Sequence, residues 1–295
     1  MAGGPEGASS NVAYSMMVED WLNELDYMRG GYTGSTPDAS LVGLVEGAYN
    51  VAQSISNVTG SALDGTYFFA DTGARSGFQN LATIWPQTTQ IVVWADSDIY
   101  SIEDLVGKRV AAGPRGGATH LVNLQILEAY GIDASELSME FLGFPDAQQQ
   151  MLDGHLDALM YGTTSFPQPG ILQVLTTDAV RFIPIDEDIM NAMVAQHSGL
   201  DIAGLPAEFY EFHDGSKNEF IPGVGGYIHL MVMEDFPEQV AYDMAKVLVE
   251  NFERYRENMP GAFSTREPAD FAMDIPGIEF HPGALRLYRE MGFVN

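Results

Sequence analysis

The chain has no cysteine among its 295 residues. Disulfides, thiol catalysis and cysteine-held metals are therefore excluded. Basic charge is nearly as scarce. Thirteen Lys and Arg stand against 41 Asp and Glu, a formal net charge of -28, and Lys108, Lys217 and Lys246 are the only lysines. A field of that sign repels nucleic acid and anionic lipid surfaces, so neither is an expected partner. It also favours solubility, and a salty medium would screen the self-repulsion. No apolar run reaches the length that spans a bilayer. No signal peptide precedes Met1-Ala2-Gly3-Gly4, which opens directly in a glycine-rich loop, and low-complexity segments are absent.

Chemical motifs are scarce too. The six histidines, His120, His155, His197, His213, His229 and His281, are scattered without metal-ligand spacing. No metal or other cofactor is expected. Asp186-Glu187-Asp188 reads as a solvated helix start. Asn57-Val58-Thr59 fits a glycosylation pattern that has meaning only in a eukaryotic secretory setting. No Gly-x-Ser-x-Gly and no activated thiol is present, so no catalytic residue is assigned.

What is present is ordinary core material, 46% hydrophobic and 18% charged, enough for about two domains. Two glycine-rich loops precede helical patterns. Gly3-Gly4-Pro5-Glu6-Gly7-Ala8-Ser9-Ser10 leads to Tyr14, Met17, Val18, Trp21, Leu22 and Leu25 on one face. Gly113-Pro114-Arg115-Gly116-Gly117-Ala118-Thr119 leads to Val122, Ile126 and Ala129. Each loop carries a hydroxyl where a helix starts and leaves backbone N–H groups at a positive helix end. They read either as a weak internal repeat or as ordinary capped loops.

Strands are predicted over 90–94, 139–142, 156–161, 181–185 and 225–233. Helices are predicted over 147–152, 189–197 and, as one long amphipathic element, 237–256. Ile102 to Gly113 reads as a short helix, a turn at Gly107 and a strand, and 199–225 as a variable excursion or linker. Alternating strands and helices argue for parallel sheets with crossovers. At the end, Phe280-His281-Pro282-Gly283-Ala284 leads into a short helix, with Leu285, Tyr288 and Met291 on one face and Arg286, Arg289 and Glu290 elsewhere. His281 is expected to be structural.

Four stretches in order resemble the TAXI family, the solute receptors of TRAP transporters. They are the first glycine loop with its helix; Trp85-Pro86 through Gln90-Ile91-Val92-Val93 to Asp104-Leu105-Val106-Gly107-Lys108-Arg109-Val110 and Gly113-Pro114; Leu152-Asp153-Gly154-His155-Leu156-Asp157-Ala158 with Phe166-Pro167; and Pro237-Glu238-Gln239-Val240-Ala241-Tyr242 through the His-Pro-Gly-Ala ending. Together they cover most of the chain. The Asp-Leu-x-Gly-Lys-x-Val element is shared by many type II periplasmic binding proteins, whereas the ending is far more specific.

The resemblance implies an α/β, two-lobed type II periplasmic-binding-protein fold, each lobe a mostly parallel sheet flanked by helices, joined by a hinge. Lobe 1 would comprise 1–95 and 223–295, and lobe 2 would comprise 96–222. It implies a periplasmic, monomeric receptor without enzymatic turnover, which closes on a small polar, carboxylate-bearing solute (amino acid, organic acid or zwitterion) and docks on TRAP membrane subunits. An enzyme or a ligand-sensing domain on the same fold stays open. This chain departs from the family at Ser9-Ser10, where two aromatics are usual, and at Asn50 and Asn57, where acidic residues are common. It also lacks the strand that precedes the first glycine loop, so either the start is shortened or another element takes that place.

Within that frame the best anion anchor is Arg115 to Thr119, with the N–H groups of Gly117, Ala118 and Thr119, the Thr119 hydroxyl and the Arg115 charge. The loop lacks the ending of a nucleotide P-loop. Gly4, Ser9, Ser10 and Asn11 are the candidates from the first lobe, with Ser35 and Ser56 as weaker ones. Trp85 and Gln90 lie near the lobe crossover, where Trp85 fits core packing better than a ligand wall. Tyr161 ends a buried-looking strand, where ligands collect in open α/β sheets. Phe166 follows it, and Tyr227 begins the returning strand.

Overall fold

The computed structural model describes residues 1–4, 11–163, 168–177, 179–212, 214–264 and 266–295. The chain divides into two compact units, the first of Met1–Trp85 with Tyr227–Asn295, the second of Pro86–Gly226.

The first unit opens with α1 (Asn11–Glu24), whose Tyr14, Met17, Val18 and Trp21 form the buried stripe that their spacing predicts. Then follow α2 (Pro37–Val45), β1 (Ala52–Ile55) and α3 (Ser56–Asp64). Met1 to Gly3 run beside β1. Ala2 bridges Ala52 and Thr33 in parallel sense, its N–H donating 3.0 Å to Val51 O and its carbonyl accepting 2.7 Å from Gln53 N. A short stub thus stands where the family resemblance implied a missing strand. β2 (Phe78–Trp94) begins in this unit and carries the chain into the second through Trp85-Pro86. It is 17 residues long, far more than the expected 90–94.

In the second unit, after a 3-10 turn at Glu103–Leu105 and a left-handed Gly107 at φ 77, come β3 (Arg109–Ala111), α4 (Ala118–Ala129), β4 (Ser138–Glu140), α5 (Phe144–Leu152), β5 (Ala158–Thr163), α6 (Pro169–Thr177), β6 (Val180–Phe182), α7 (Glu187–Gln196) and β7 (Asp201–Leu205). Strand alternation splits the core in two. Ile91, Val93, Val110 and Met160 face a cluster with Val122, Ile126, Met190 and Met193 of α4 and α7. Val92, Ala111, Leu159 and Tyr161 face the opposite cluster, with Ala147, Met151, Ile171 and Val174 of α5 and α6. The sheet is mixed rather than mostly parallel. β3 runs parallel to β4 and β5, but β2 is antiparallel to β5 and β6.

β8 (Ile221–Met233) then returns the chain to the first unit. Its start pairs antiparallel with β7, so part of the expected linker over 199–225 is sheet, and its end pairs antiparallel with β1. At Gly225 a Cβ would stand 1.8 Å from Gln87 O, which explains a glycine there. The expected helix 237–256 is two, α8 (Glu238–Glu250) and α9 (Phe252–Asn258). Asn251 separates them, with its side-chain amide turned back 2.9 Å to Val247 O. Last come α10 (Pro260–Phe263) and α11 (Pro282–Glu290).

α11 buries Gly283, Ala284, Leu287 and Tyr288, not the Leu285, Tyr288 and Met291 face expected. The cause is close approach to α8, where a Cβ on Gly283 would fall 2.1 Å from Glu238 O. His281 is structural, as expected. Its Nδ1 caps α11 by accepting from Gly283 N at 3.2 Å, and its Nε2 stands 2.9 Å from Phe236 O.

Candidate functional site

In the second unit the candidate site is built where β3 gives way to α4. Pro114 to Gly117 make a turn closed by Gly117 N–H to Pro114 O at 3.0 Å. That N–H is therefore engaged within the loop and is not a cradle donor, a correction to the expected set. Gly117 caps α4 without a side-chain hydrogen bond, so the first-turn N–H groups of Ala118 and Thr119 receive no side-chain cap. The Thr119 hydroxyl accepts from Gly162 N at 3.2 Å and keeps its own proton for donation.

His120 fastens the loop from inside α4. Its Nδ1 accepts from Gly116 N at 3.1 Å, and its ring meets Phe141 edge-on with centroids 4.8 Å apart. Burial first, then the Arg115 charge, lowers its pKa, which favours the neutral ring that this acceptor role requires. Arg115 is exposed, its guanidinium lying 3.7 Å over the Phe141 ring. Sequence reasoning missed both His120 and Phe141; the i, i+4 spacing of Gly116 and His120 is the one signal that pointed to the contact.

A pocket of about 50 Å³ opens beside this loop, lined among others by Gly113, Pro114, Thr119, Phe144, Tyr161 and Gly162. Tyr161 and Phe144 meet there with ring centroids 4.2 Å apart and planes tilted by 32°. The Tyr161 hydroxyl donates to Gln90 Oε1 at 2.9 Å across paired positions of β5 and β2. Burial, then the neighbouring Tyr210, pushes the Tyr161 pKa well above its ordinary value, so the phenol stays protonated. Tyr210, pushed up to about 12 mainly by burial, accepts from Gln168 N at 2.9 Å. Gln90 itself is buried, with its Oε1 on the Tyr161 hydroxyl.

In the first unit Gly4, Asn11 and Ser35 come together. Gly4 is left-handed at φ 62, donates 2.8 Å to Gln53 Oε1 and accepts from Ser35 N at 3.0 Å. A Cβ there would fall 2.1 Å from Asn11 Oδ1, which accepts from the Tyr32 hydroxyl at 2.7 Å. Ser56, the first residue of α3, is wholly buried and accepts from Tyr227 N at 2.8 Å. Trp85 is 1% exposed, stacked on Tyr14 and edge-on to Phe263, and serves as core. Ser9, Ser10 and Phe166 lie outside the described residues.

Among the described residues no three His, Asp or Glu side chains gather in a way that would hold a metal, and no helix is long and apolar enough to cross a membrane. The mixed α/β architecture is that of type II periplasmic binding proteins. It matches XAC2383 from Xanthomonas citri bound to chloride ion at TM-score 0.57 and 13% identity, over 99% of this chain and 95% of that one. The alkanesulfonate-binding protein SsuA from Xanthomonas axonopodis pv. citri, bound to MOPS, matches at TM-score 0.52 and 12% identity over 98% and 83% of the two chains. A structure from the study of glutathione import via GshT and the cystine ABC importer TcyBC of Streptococcus mutans matches at TM-score 0.52 and 13% identity, over 89% and 94%. The family model for the NMT1-like family matches residues 32–292, and the chain belongs to that family.

Proposed function

We propose that this chain is an extracytoplasmic solute receptor that captures a small carboxylate-bearing solute without turnover and delivers it to a TRAP-type membrane transporter. The observation that carries the receptor reading is the α4 start. A glycine loop held by His120 leaves the N–H groups of Ala118 and Thr119 without a side-chain cap beside a pocket walled by Tyr161 and Phe144. NMT1-like membership supports it at the level of the whole chain. The ordered TAXI motifs, above all Phe280-His281-Pro282-Gly283-Ala284, support the TRAP partner. The chain carries a net charge of -28, so the local dipole must hold an acid against a repelling field, and moderate salt helps capture.

A receptor for an ABC importer is the second reading, favoured by the likeness to the structure from the GshT–TcyBC study. A thermal-shift screen against amino acids, organic acids and zwitterions tests the receptor itself. One chemotype raising Tm with concentration, recovered unchanged afterwards, is the expected result; conversion of the bound compound to a product would sink the reading. Uptake in vesicles carrying the cognate membrane subunits then separates the two partners. Dependence on an ion gradient supports TRAP delivery, and dependence on ATP supports an ABC importer.

A further inference from the structure

The cavity beside the start of α4 is a gap in the hydrophobic core of the second unit. Ala111 of β3 and Leu159 of β5 stand opposite each other in the parallel ladder, and both face the cluster that α5 and α6 cover. Phe144 and Ala147 lie three apart on α5 and share a face, and Leu142 precedes that helix. All five line the cavity and belong to that cluster or pack against it. Ala111 and Ala147 are both buried. The gap lies where these two core positions carry a single methyl each.

Thr119 and Tyr161 supply the polar side chains of the lining, and the Tyr161 hydroxyl is committed to Gln90 Oε1 at 2.9 Å. Among the described residues no Asp, Glu, Lys, Arg or His lines the cavity. A charge drawn into it would lose its water and find no ionic partner. A hydrocarbon tail would meet matching surface there and gain about fourfold in affinity per buried methylene. On the scale where a dry cavity of about 150 Å³ accepts benzene, about 50 Å³ has room for about two to four carbons.

We propose that the solute is a short aliphatic monocarboxylate, whose tail of about two to four carbons fills this cavity while its acid group sits at the α4 start. This rests on the solute-receptor reading above, which supplies the place of the acid group. The cavity supplies the selection. It favours a plain hydrocarbon tail and disfavours a second carboxylate or an α-ammonium beside the first.

The test is calorimetry on the full chain with acetate, propanoate, butanoate, pentanoate, hexanoate, succinate and L-2-aminobutanoate as probes. Affinity is expected to rise about fourfold per methylene from acetate to butanoate or pentanoate and to level off by hexanoate. Succinate and L-2-aminobutanoate, with the carbon count of butanoate, are expected to bind at least about a hundredfold more weakly than it does. A147V narrows the cavity and should move the preferred acid to a shorter one. L142A widens it and should move the preference to a longer one, a shift that loss of stability alone would not produce. Succinate or L-2-aminobutanoate binding as tightly as butanoate overturns the apolar tail and leaves the receptor reading standing. So does an affinity that stays level along the acid series. A preferred acid that is the same in wild type, A147V and L142A overturns the assignment of the tail to this cavity. A wild type that binds none of the acids removes the carboxylate receptor and the tail together.

Discussion

Each unit starts a helix with a hydroxyl that accepts a backbone N–H from a strand. In the second unit Thr119 of α4 takes Gly162 N at 3.2 Å; in the first, Ser56 of α3 takes Tyr227 N at 2.8 Å. The local design is shared and the surroundings are not. Thr119 is half-buried and lines a pocket, after a loop whose Gly116 and Gly117 N–H groups are closed on His120 Nδ1 and Pro114 O. Ser56 is wholly buried, and α3 follows β1 with no loop between them. A hydroxyl at a helix start can face a solute only where the preceding loop leaves room.

The largest expected effects test how rigidly each unit holds its close approaches. Gly225→Ala would put a Cβ 1.8 Å from Gln87 O, with strand backbone on both sides of the contact. The loss expected is about 3 kcal/mol or more, read as a fall in the urea midpoint. Gly283→Ala would meet Glu238 O at 2.1 Å, but α11 can tilt from α8, and alanine regains about 1 kcal/mol of helix propensity. Gly283→Ala is therefore expected to cost less. The reverse order would mean that α8 and α11 form the more rigid contact.

The larger acid sensitivity should belong to the first unit, although burial lowers the His120 pKa in the second as well. His229 is wholly buried on β8, with Nε2 2.8 Å from Thr59 Oγ1 and Nδ1 without a partner. Burial pushes its pKa down to about 3 from an ordinary 6.5. The unfolded chain takes up that proton below about pH 6.5 and the folded chain does not. Stability from this group is thus complete above pH 6.5 and declines as pH falls towards 3, by about 3 kcal/mol at pH 4. The difference in unfolding free energy between wild type and H229N, followed from pH 7 to about pH 4, isolates it from the general titration of the carboxylates. A difference that does not change with pH would show that His229 titrates normally.

Local pattern was legible where one neighbour decides the outcome. The stripe Tyr14, Met17, Val18 and Trp21 became the buried face of α1, and His281 became a cap because Pro282 and Gly283 start a helix behind it. The second glycine loop was legible as a loop, but the closing of its Gly117 N–H on Pro114 was not, since turn closure depends on backbone angles that several glycines leave open. The face of α11 was misread because small residues, not large ones, set its approach to α8. β7 hid in a segment rich in glycine, proline and charge because a strand against β8 draws its pairing from the backbone, and Leu205 is its one buried residue.

The smallest predicted effect returns to the two hydroxyls and separates binding from support. Removing either leaves a strand N–H without its acceptor, which costs about 1–3 kcal/mol when buried. Ser56→Ala should lie near the upper end, because Ser56 is wholly enclosed. Thr119→Val should lie near about 1 kcal/mol, because Thr119 and Gly162 are only half-buried and water can replace the lost partner. Thr119→Val should also weaken solute binding by about tenfold, through the donor lost beside the pocket. Calorimetric affinities and urea midpoints for both variants check the pair. If Thr119→Val costs as much stability as Ser56→Ala and leaves affinity unchanged, the two hydroxyls do the same structural work. The anion anchor proposed for the second unit would then rest on the N–H groups of Ala118 and Thr119 alone.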